Sequence, residues 1–340
     1  MRVNLAVAEI PMRALRPYIQ LLLLGPVFVL GLFFNGAAQS KYEVIGKVLQ
    51  SDGKPFTGAV AVVFLESAFS PFAMRSFADR SGQFKFKNVS PGTYNLVIHV
   101  PRRAELRKTI EVGPSLADSK NKITLAFQLE PGSISEDAHL ISTAQLSLPA
   151  EAKKQYWKAQ DRLEKRDVEG AIAELKKAVR IAPQFVEAWN FLGTIAYTSR
   201  RYRDAETYFR QALEQDADAY SPLVNLGGAL LSLGRFDEAL PLNQRAVSMR
   251  PDDPLAHSQL GQNYYFLGRY DDAEPPLRRA KALDPGHFTF PQIVLAAIYE
   301  RRNDMPSVIR ELEDFLQRHP DSDRADPMRI KLKQIKNPPG

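Results

Sequence analysis

Small and apolar residues recur along the second half of the chain with a fixed period of 34 positions. A Leu-Gly pair returns at this interval, and two rows of alanines run in phase with it. Between these markers, apolar residues fall three and four positions apart, which is the spacing of an amphipathic helix. A period of this length predicts a solenoid of helix pairs, whose product is an extended binding surface. The markers are Leu192-Gly193, Leu226-Gly227 and Leu260-Gly261, then Ala171, Ala205, Ala239 and Ala273, and Ala178, Ala212, Ala246 and Ala280.

The glycine of each repeat has a packing explanation. Without a side chain, Gly193 lets the second helix of its own hairpin approach closely, and the alanines lie where helices would otherwise collide. The pattern resembles the tetratricopeptide repeat, which has two antiparallel helices per 34 residues. The resemblance covers residues 151–320 as five repeats, and the first is degenerate because Ala159 replaces its glycine. We expect residues 321–340 to form a capping helix and a tail.

The first half of the chain has a different pattern, in which apolar residues alternate with a period of two. Turn signals such as Asp79-Arg80-Ser81-Gly82 separate these segments, whereas 68–73 is expected to be a long loop. Short strands at this spacing predict a small antiparallel β-sandwich. The predicted strands are 44–49, 58–65, 83–87, 93–100, 108–112 and 123–129.

Three stretches of this segment resemble the carboxypeptidase regulatory-like domain, a sandwich of the transthyretin type. They are Ile45-Gly46-Lys47-Val48 with the following Gly53-Lys54-Pro55, the turn that begins at Asp79, and Val89-Ser90-Pro91-Gly92-Thr93-Tyr94. The resemblance covers residues 39–131 and implies a non-catalytic accessory module of exported bacterial proteins. The fold class expected for the chain is therefore multidomain, all-β followed by all-α, with a linker at 132–150.

The N-terminal segment has the pattern of a secretory signal. Three arginines precede an uncharged run at Leu21–Phe34, and Gly36-Ala37-Ala38 supplies the small residues of a cleavage site. We expect residues 1–38 to be removed after Ala38, which places the protein in the periplasm or outside the cell. An uncleaved membrane anchor is the alternative.

The charge of the chain is unevenly distributed. Residues 39–131 carry 13 Lys and Arg against 8 Asp and Glu, whereas residues 132–340 carry 29 against 30. The basic character therefore belongs mainly to the predicted sandwich, where a solvated face or an anionic partner would explain it. Cysteine is absent, so neither a disulfide nor a lipid-attachment cysteine is available. No nucleic-acid partner is expected.

No pattern in the sequence predicts catalysis. The five histidines are scattered without a metal-ligand spacing, and no phosphate-binding loop or nucleophile elbow is present. His257 occupies the repeat position of Trp189, where an interior packing role explains it. We expect no catalytic residue, metal or cofactor, and hence no enzyme.

The resemblance to tetratricopeptide repeats implies a concave surface lined by fixed positions of each first helix. Neutral polar groups and aromatic rings at these positions suit a protein or peptide segment. A chaperone-type carboxylate clamp would need Lys and Asn where this chain has Tyr156 and Gln160, so an acidic-tail ligand is disfavoured. Glu187 belongs to the same surface. The predicted partner-binding residues are Tyr156, Gln160, Asn190, Thr194, Tyr197, Val224, Ser258, Gln262, Tyr265 and Phe266.

Three functions remain open at this point. The preferred one is a non-catalytic, exported scaffold that binds a protein or peptide in the concave groove. The first alternative is binding of a glycan or another anionic envelope component by the basic sandwich, with the repeats as a spacer. The second alternative is an accessory subunit of an envelope enzyme or secretion complex.

Overall fold

The computed structural model describes residues 40–50, 52–55, 61–100, 104–128 and 148–337. The predicted signal at 1–38, the linker as far as residue 147 and the last three residues lie outside these ranges. Within them, a set of strands is followed by an array of helices, which confirms the predicted all-β plus all-α class. None of the described helices is both long and apolar enough to cross a membrane.

The described strands form two facing sheets. A three-stranded sheet has the order β4-β1-β7, and a four-stranded sheet has the order β3-β2-β5-β6. Strand β1 runs antiparallel to β4 and parallel to β7, and the four-stranded sheet is antiparallel throughout. The strands are β1 (Tyr42–Leu49), β2 (Val62–Ser67), β3 (Ala73–Phe77), β4 (Gln83–Val89), β5 (Gly92–Val100), β6 (Ala104–Val112) and β7 (Lys122–Gln128).

The sandwich core follows from the alternation of its strands. Every second residue of β1 is buried, and Phe84 and Phe86 of β4 point into the same core. Gly46 lies opposite the Phe84 ring, and a Cβ atom there would come within 1.9 Å of its Cζ. The glycine of β1 therefore makes room for an aromatic ring of the neighbouring strand.

Strand β3 was not predicted, because its residues were placed in or beside the expected loop at 68–73. It pairs with β2 from Ala73 to Phe77 at one edge of the four-stranded sheet. None of its side chains is fully buried, and Phe77 is 57% exposed. An edge strand packed this lightly lacks the alternation by which the other strands are recognised.

The described helices form five antiparallel pairs and one further helix. The second helix of each pair packs on the first helix of the next pair. The helices are α1 (Ala150–Glu164), α2 (Val168–Ile181), α3 (Val186–Thr198), α4 (Tyr202–Gln215), α5 (Tyr220–Ser232), α6 (Phe236–Met249), α7 (Pro254–Phe266), α8 (Tyr270–Leu283), α9 (Pro291–Arg301), α10 (Met305–Arg318) and α11 (Ala325–Lys336).

The repeated glycines lie where the two helices of a pair touch, as predicted. At each position, an added Cβ would come too close to a side chain of the partner helix. The glycine therefore sets the spacing of the pair, and the facing residue fills the space that it leaves. The pairs are Gly193 with Phe209, Gly227 with Asn243 and Gly261 with Leu277, at 2.3, 2.1 and 2.5 Å from the would-be Cβ.

Equivalent positions of different repeats form the same local hydrogen bond between a ring nitrogen and a main-chain carbonyl. Trp189 donates from Nε1 to the carbonyl oxygen of Pro183, with a distance of 2.8 Å. His257 lies 2.9 Å from the carbonyl oxygen of Pro251 through its Nε2 atom. In both cases, a half-buried ring bonds to the turn that precedes a first helix, so His257 makes a structural contact but does not occupy the interior position expected from the sequence.

The helical array contacts the four-stranded sheet at both of its edges. At the β3 edge, the Arg75 guanidinium lies 5.4 Å from the centre of the Trp157 ring on α1. Arg166, in the turn between α1 and α2, donates to Oγ of Ser90 over 2.7 Å and covers the ring of Phe72. The first repeat thus holds the sandwich from one side.

At the opposite edge, β6 lies against loops of the last two repeats. Thr109 of β6 is hydrogen-bonded to Asp284, and Phe69 of the β2–β3 turn packs its ring near Phe288 and Phe290. The sequence did not indicate what the turn at 68–73 contacts. In the structure, it is part of the junction between the sandwich and the array.

A buried histidine makes this junction sensitive to pH. Burial lowers the pKa of His287 to about 4, with Asp284 opposing the shift and His319 and Lys108 adding to it. Because the ordinary value is 6.5, the unfolded chain binds the proton more tightly, and stability is lost as the pH falls from 6.5 towards 4.

We expect the free energy of unfolding to decrease by about 3 kcal/mol across this interval through His287 alone. Urea titrations at a series of pH values would show a smaller decrease for His287→Gln than for the wild type. Equal pH dependence of His287→Gln and wild type would contradict the assignment.

Candidate protein-binding surface

The ten predicted partner-binding residues all lie on first helices of the repeats, namely α1, α3, α5 and α7. None of these side chains is fully exposed, as the residues of an open groove would be. Val224, Ser258 and Tyr265 are buried, and the other seven are half-buried. The structure places these residues on successive helices of one array, but their side chains differ in solvent exposure.

In the described part of the first two repeats, a group of buried side chains includes acceptor atoms that receive no hydrogen bond. Tyr156 of α1 packs between the rings of Phe185 and Phe191, and the Gln160 side chain lies beside its hydroxyl. Among the described residues, neither Oε1 of Gln160 nor Oε2 of Glu187 has a hydrogen-bond partner, although both atoms are buried. We call Tyr156, Gln160 and Glu187 the acceptor cluster.

The electrostatics of the acceptor cluster favour a donor. Burial raises the pKa of Glu187, and the nearby Asp216 adds to that shift. Burial also raises the pKa of the Tyr156 hydroxyl, with contributions from Glu187 and from Glu66 of the sandwich. The negative charges of these carboxylates repel one another, and an N–H donor or a positive charge would stabilise them.

In the middle repeats, two of the predicted residues on α3 bond to side chains of the next first helix, α5. Asn225 donates from Nδ2 to Oδ1 of Asn190 over 3.0 Å, so α5 is bonded to α3. Tyr197 and Ser232 approach to 3.2 Å between their hydroxyl oxygens. These polar groups therefore connect neighbouring repeats, in addition to any role towards a partner.

In the fourth repeat, the predicted residues are also engaged. Ser258 and Thr289 are 2.5 Å apart through their hydroxyl oxygens, and Gln262 lies within 3.4 Å of the Thr289 carbonyl. Phe266 stacks on Phe236 of α6 with ring centres 4.9 Å apart. This end of the array is packed between repeats, whereas the acceptor cluster retains unused hydrogen-bonding capacity.

No group of three or more His, Cys, Asp or Glu side chains within the described ranges is arranged to hold a metal ion.

Sequence reasoning missed the residues that join the sandwich to the array. Asp284, Phe288 and Phe290 lie in the loop between α8 and α9, and Asp321 lies in the loop before α11. Two aromatic residues beside Thr289 were the available signal, because the inter-repeat loops of the other repeats have no such Phe-x-Phe sequence.

Comparison with known proteins agrees with the geometry of the helix pairs. The tetratricopeptide repeat model matches residues 156–222, 192–256 and 224–288. This chain contains tetratricopeptide repeats. The matched residues extend from the first repeat to the loop before α9, so the helix pairs there are tetratricopeptide units in sequence as well as in structure.

Similar proteins match parts of the chain. The Hsp70-Hsp90 organising protein of Plasmodium falciparum is 34% identical over 70 residues, which are 21% of this chain and 28% of that protein. The structure of MamA from residue 41, from Desulfovibrio magneticus RS-1, is 21% identical with a TM-score of 0.46, covering 52% of this chain and 99% of that one. YrrB, described as a tetratricopeptide repeat protein with an unusual peptide-binding site, is 22% identical with a TM-score of 0.44, covering 57% and 97%.

Proposed function

We propose that this protein is a non-catalytic scaffold whose tetratricopeptide array binds a protein or peptide segment on its first helices. The observation that carries the proposal is the acceptor cluster, in which buried Oε1 of Gln160 and Oε2 of Glu187 lack hydrogen-bond partners. A buried acceptor without a donor costs about 1–3 kcal/mol. Main-chain N–H groups of a bound segment would recover that cost.

The chemistry of the cluster also indicates the charge of the segment. The charged groups that raise the pKa values within the acceptor cluster are the carboxylates of Glu187, Asp216 and Glu66. A segment with N–H donors or a basic side chain fits it, whereas an acidic tail does not. The partial match to a chaperone-organising protein supports a protein partner. The match covers 70 residues, so it says nothing of the remainder of that protein.

Capture of a partner tests the proposal. The chain from residue 39 is used as bait against envelope extract, and the proteins retained by wild type, Gln160→Ala and Gln317→Ala are compared by mass spectrometry. Gln317 is the control, because it is an exposed amide on the second helix α10. A partner retained by wild type and Gln317→Ala but lost by Gln160→Ala supports the proposal. Equal retention by all three contradicts it.

A separate prediction concerns Glu187. Because burial raises its pKa above the ordinary value of 4.5, folding is favoured by its protonated form, and that contribution is lost as the pH rises through the raised pKa. We expect Glu187→Gln to raise the melting temperature at pH 7 and to weaken partner capture. The gain in melting temperature should disappear below about pH 4.5.

The control for this prediction is Glu164→Gln. Glu164 is an exposed carboxylate on α1, so its replacement changes the net charge by the same amount. It should leave both the melting temperature and partner capture unchanged. If Glu187→Gln lowers the melting temperature at pH 7, Glu187 is a structural acceptor rather than part of a binding surface.

We also propose that residues 1–38 direct export and are removed after Ala38. The support is the order of arginines, apolar run and small residues in the sequence. The intact mass of the protein recovered from the envelope fraction tests it. A mass that begins at Gln39 supports cleavage, whereas retention of the leader indicates a membrane anchor instead.

A further inference from the structure

The segment that joins α3 to α4 carries a positive charge that the equivalent segments lack. Its residues 200–204 include three arginines and one aspartate, a surplus of two positive charges. The equivalent segments of three other repeats, at 166–170, 234–238 and 268–272, each have a surplus of one negative charge. Arg203 causes most of this difference, because the other three segments have an acidic residue at its position. These acidic residues are Glu169, Asp237 and Asp271.

The main chain of this segment follows the same path as in the third and fourth repeats. Arg200 has a φ of 60°, and the glycines at its position, Gly234 and Gly268, have φ values of 74° and 76°. The N–H of the following arginine donates to a carbonyl of the first helix in all three repeats, over 2.8 Å in the second and 2.9 Å in the other two. The repeats therefore differ here in their side chains. An arginine in the left-handed region, where glycine is favoured, is uncommon.

The arginines of the second repeat lack the acidic partners that the other repeats supply. Arg201 and Asp204 are 3.9 Å apart. The equivalent pairs are closer, at 2.6 Å for Arg235 with Glu238 and 2.8 Å for Arg269 with Asp272. Among the described residues, Arg200 and Arg203 have no ion pair within 4.0 Å. The positive charge of this segment is therefore poorly neutralised by the chain itself.

These arginines surround a cleft on the surface of the array. It has a volume of about 340 Å³ and is lined by residues 200–204 and by Leu233 at the end of α5. We call it the arginine cleft. A cleft of about 350 Å³ occupies the same place in the fourth repeat, where Asp271 lines it and accepts a hydrogen bond from Arg302 over 2.7 Å. In the fourth repeat, an arginine beside the cleft is thus already bound to a carboxylate of the chain.

The chemistry of the arginine cleft fits carboxylates on an extended chain. A guanidinium group offers paired N–H donors that match the two oxygens of a carboxylate. All three arginines are exposed and they occupy positions 200, 201 and 203. Several carboxylates of one segment can therefore contact them at once, whereas a site for a single enclosed anion would bury its donors.

We propose that the arginine cleft binds an acidic segment of a partner polypeptide. Asp or Glu side chains of that segment take the place of the carboxylate that Asp271 supplies in the fourth repeat. The cleft lies outside the first-helix positions of the concave surface, for which an acidic ligand was disfavoured. The inference goes beyond the function proposed for the acceptor cluster, because that cluster favours N–H donors and a basic side chain.

Fluorescence anisotropy of a labelled hexaglutamate peptide with the full chain tests the proposal. The double variant Arg200→Gly with Arg203→Asp gives residues 200–204 the sequence of 268–272, so the new segment is one that this fold already contains. The control is Lys176→Glu with Arg180→Gln, which changes the net charge by the same amount on the exposed face of α2. Far-ultraviolet circular dichroism verifies that both variants are folded.

The double variant at the cleft is expected to bind hexaglutamate about tenfold more weakly than wild type, since it loses two guanidinium groups and gains a carboxylate. The control and Gln160→Ala should bind as tightly as wild type. Inorganic phosphate should displace the peptide no more than sodium chloride does at the same ionic strength.

Three results overturn the proposal. Equal affinity of wild type and the double variant would show that the cleft does not bind the peptide. An equal loss in the control would show attraction by the net charge alone. Displacement specific to inorganic phosphate would assign the cleft to a phosphate group instead of an acidic polypeptide.

Discussion

Replacing Phe290 with alanine is expected to lower the free energy of unfolding by about 3–5 kcal/mol. The Phe290 side chain is 3% exposed and packs edge-on against Phe315 and His319, with ring centres 5.3 and 4.8 Å away. On its other side it meets Phe69 of the sandwich. Its removal leaves a cavity shared by α10 and the junction, which the surrounding helices cannot close.

The control for this prediction is Phe69→Ala, which removes the same ring from the same aromatic group. Phe69 is 56% exposed, so we expect a loss of less than about 1 kcal/mol. Urea denaturation followed by circular dichroism measures both variants. A loss for Phe290→Ala no greater than that for Phe69→Ala would show that this ring is not part of the core.

The substitution Gly193→Ala is expected to lower the free energy of unfolding by about 1–3 kcal/mol. Its Cβ would lie 2.3 Å from Cε1 and 2.5 Å from Cδ1 of Phe209, and Phe209 is buried within the helix pair. The ring cannot move without separating α3 from α4. Gly286→Ala is the control, because the nearest atom there is 4.0 Å away, and a change within about 0.5 kcal/mol is expected.

The first repeat suggests how this loss can be reversed. There, Ala159 takes the place of the glycine and Leu175 takes the place of Phe209, and both are fully buried. The double variant Gly193→Ala with Phe209→Leu reproduces that natural pair, so part of the lost stability should return. If the double variant is less stable than the sum of the two single changes, a clash with Phe209 is not the cause.

The helical half of the fold was predictable because small residues set the distance between the helices of each pair. A glycine or alanine at a helix contact leaves a periodic mark, and the helices that carry this mark are present from α1 to α8. The same argument placed His257 at the repeat position of Trp189, although both side chains are half-buried and not interior. Local sequence was sufficient there because each repeat mainly contacts its neighbours.

The junction was not predictable, because its contacts join residues that are far apart in the sequence. Thr109 and Asp284 are 175 positions apart, and Ser115 and Asp321 are 206 apart. No periodicity connects such pairs. Strand β3 was missed for a different reason, since none of its side chains is fully buried and the strand lacks an alternation of buried and exposed residues.

The helices that carry the predicted partner-binding residues followed from the sequence, whereas the contacts of those residues did not. The repeat register placed Ser258 and Gln262 on a first helix, and the structure agrees. Their bonds to Thr289 depend on the following loop, which the register does not describe. The unpaired acceptors of Gln160 and Glu187 likewise became visible only once α1 and α3 were placed side by side.

A partner bound on the first helices of the early repeats should protect their main-chain amides. Amide hydrogen exchange is measured for the chain from residue 39, alone and with the captured partner. We expect slower exchange in α1 and α3 on binding, with α2 and α4 unchanged, and loss of this protection in Gln160→Ala. Protection confined to α2 and α4, or to the sandwich strands, would contradict it.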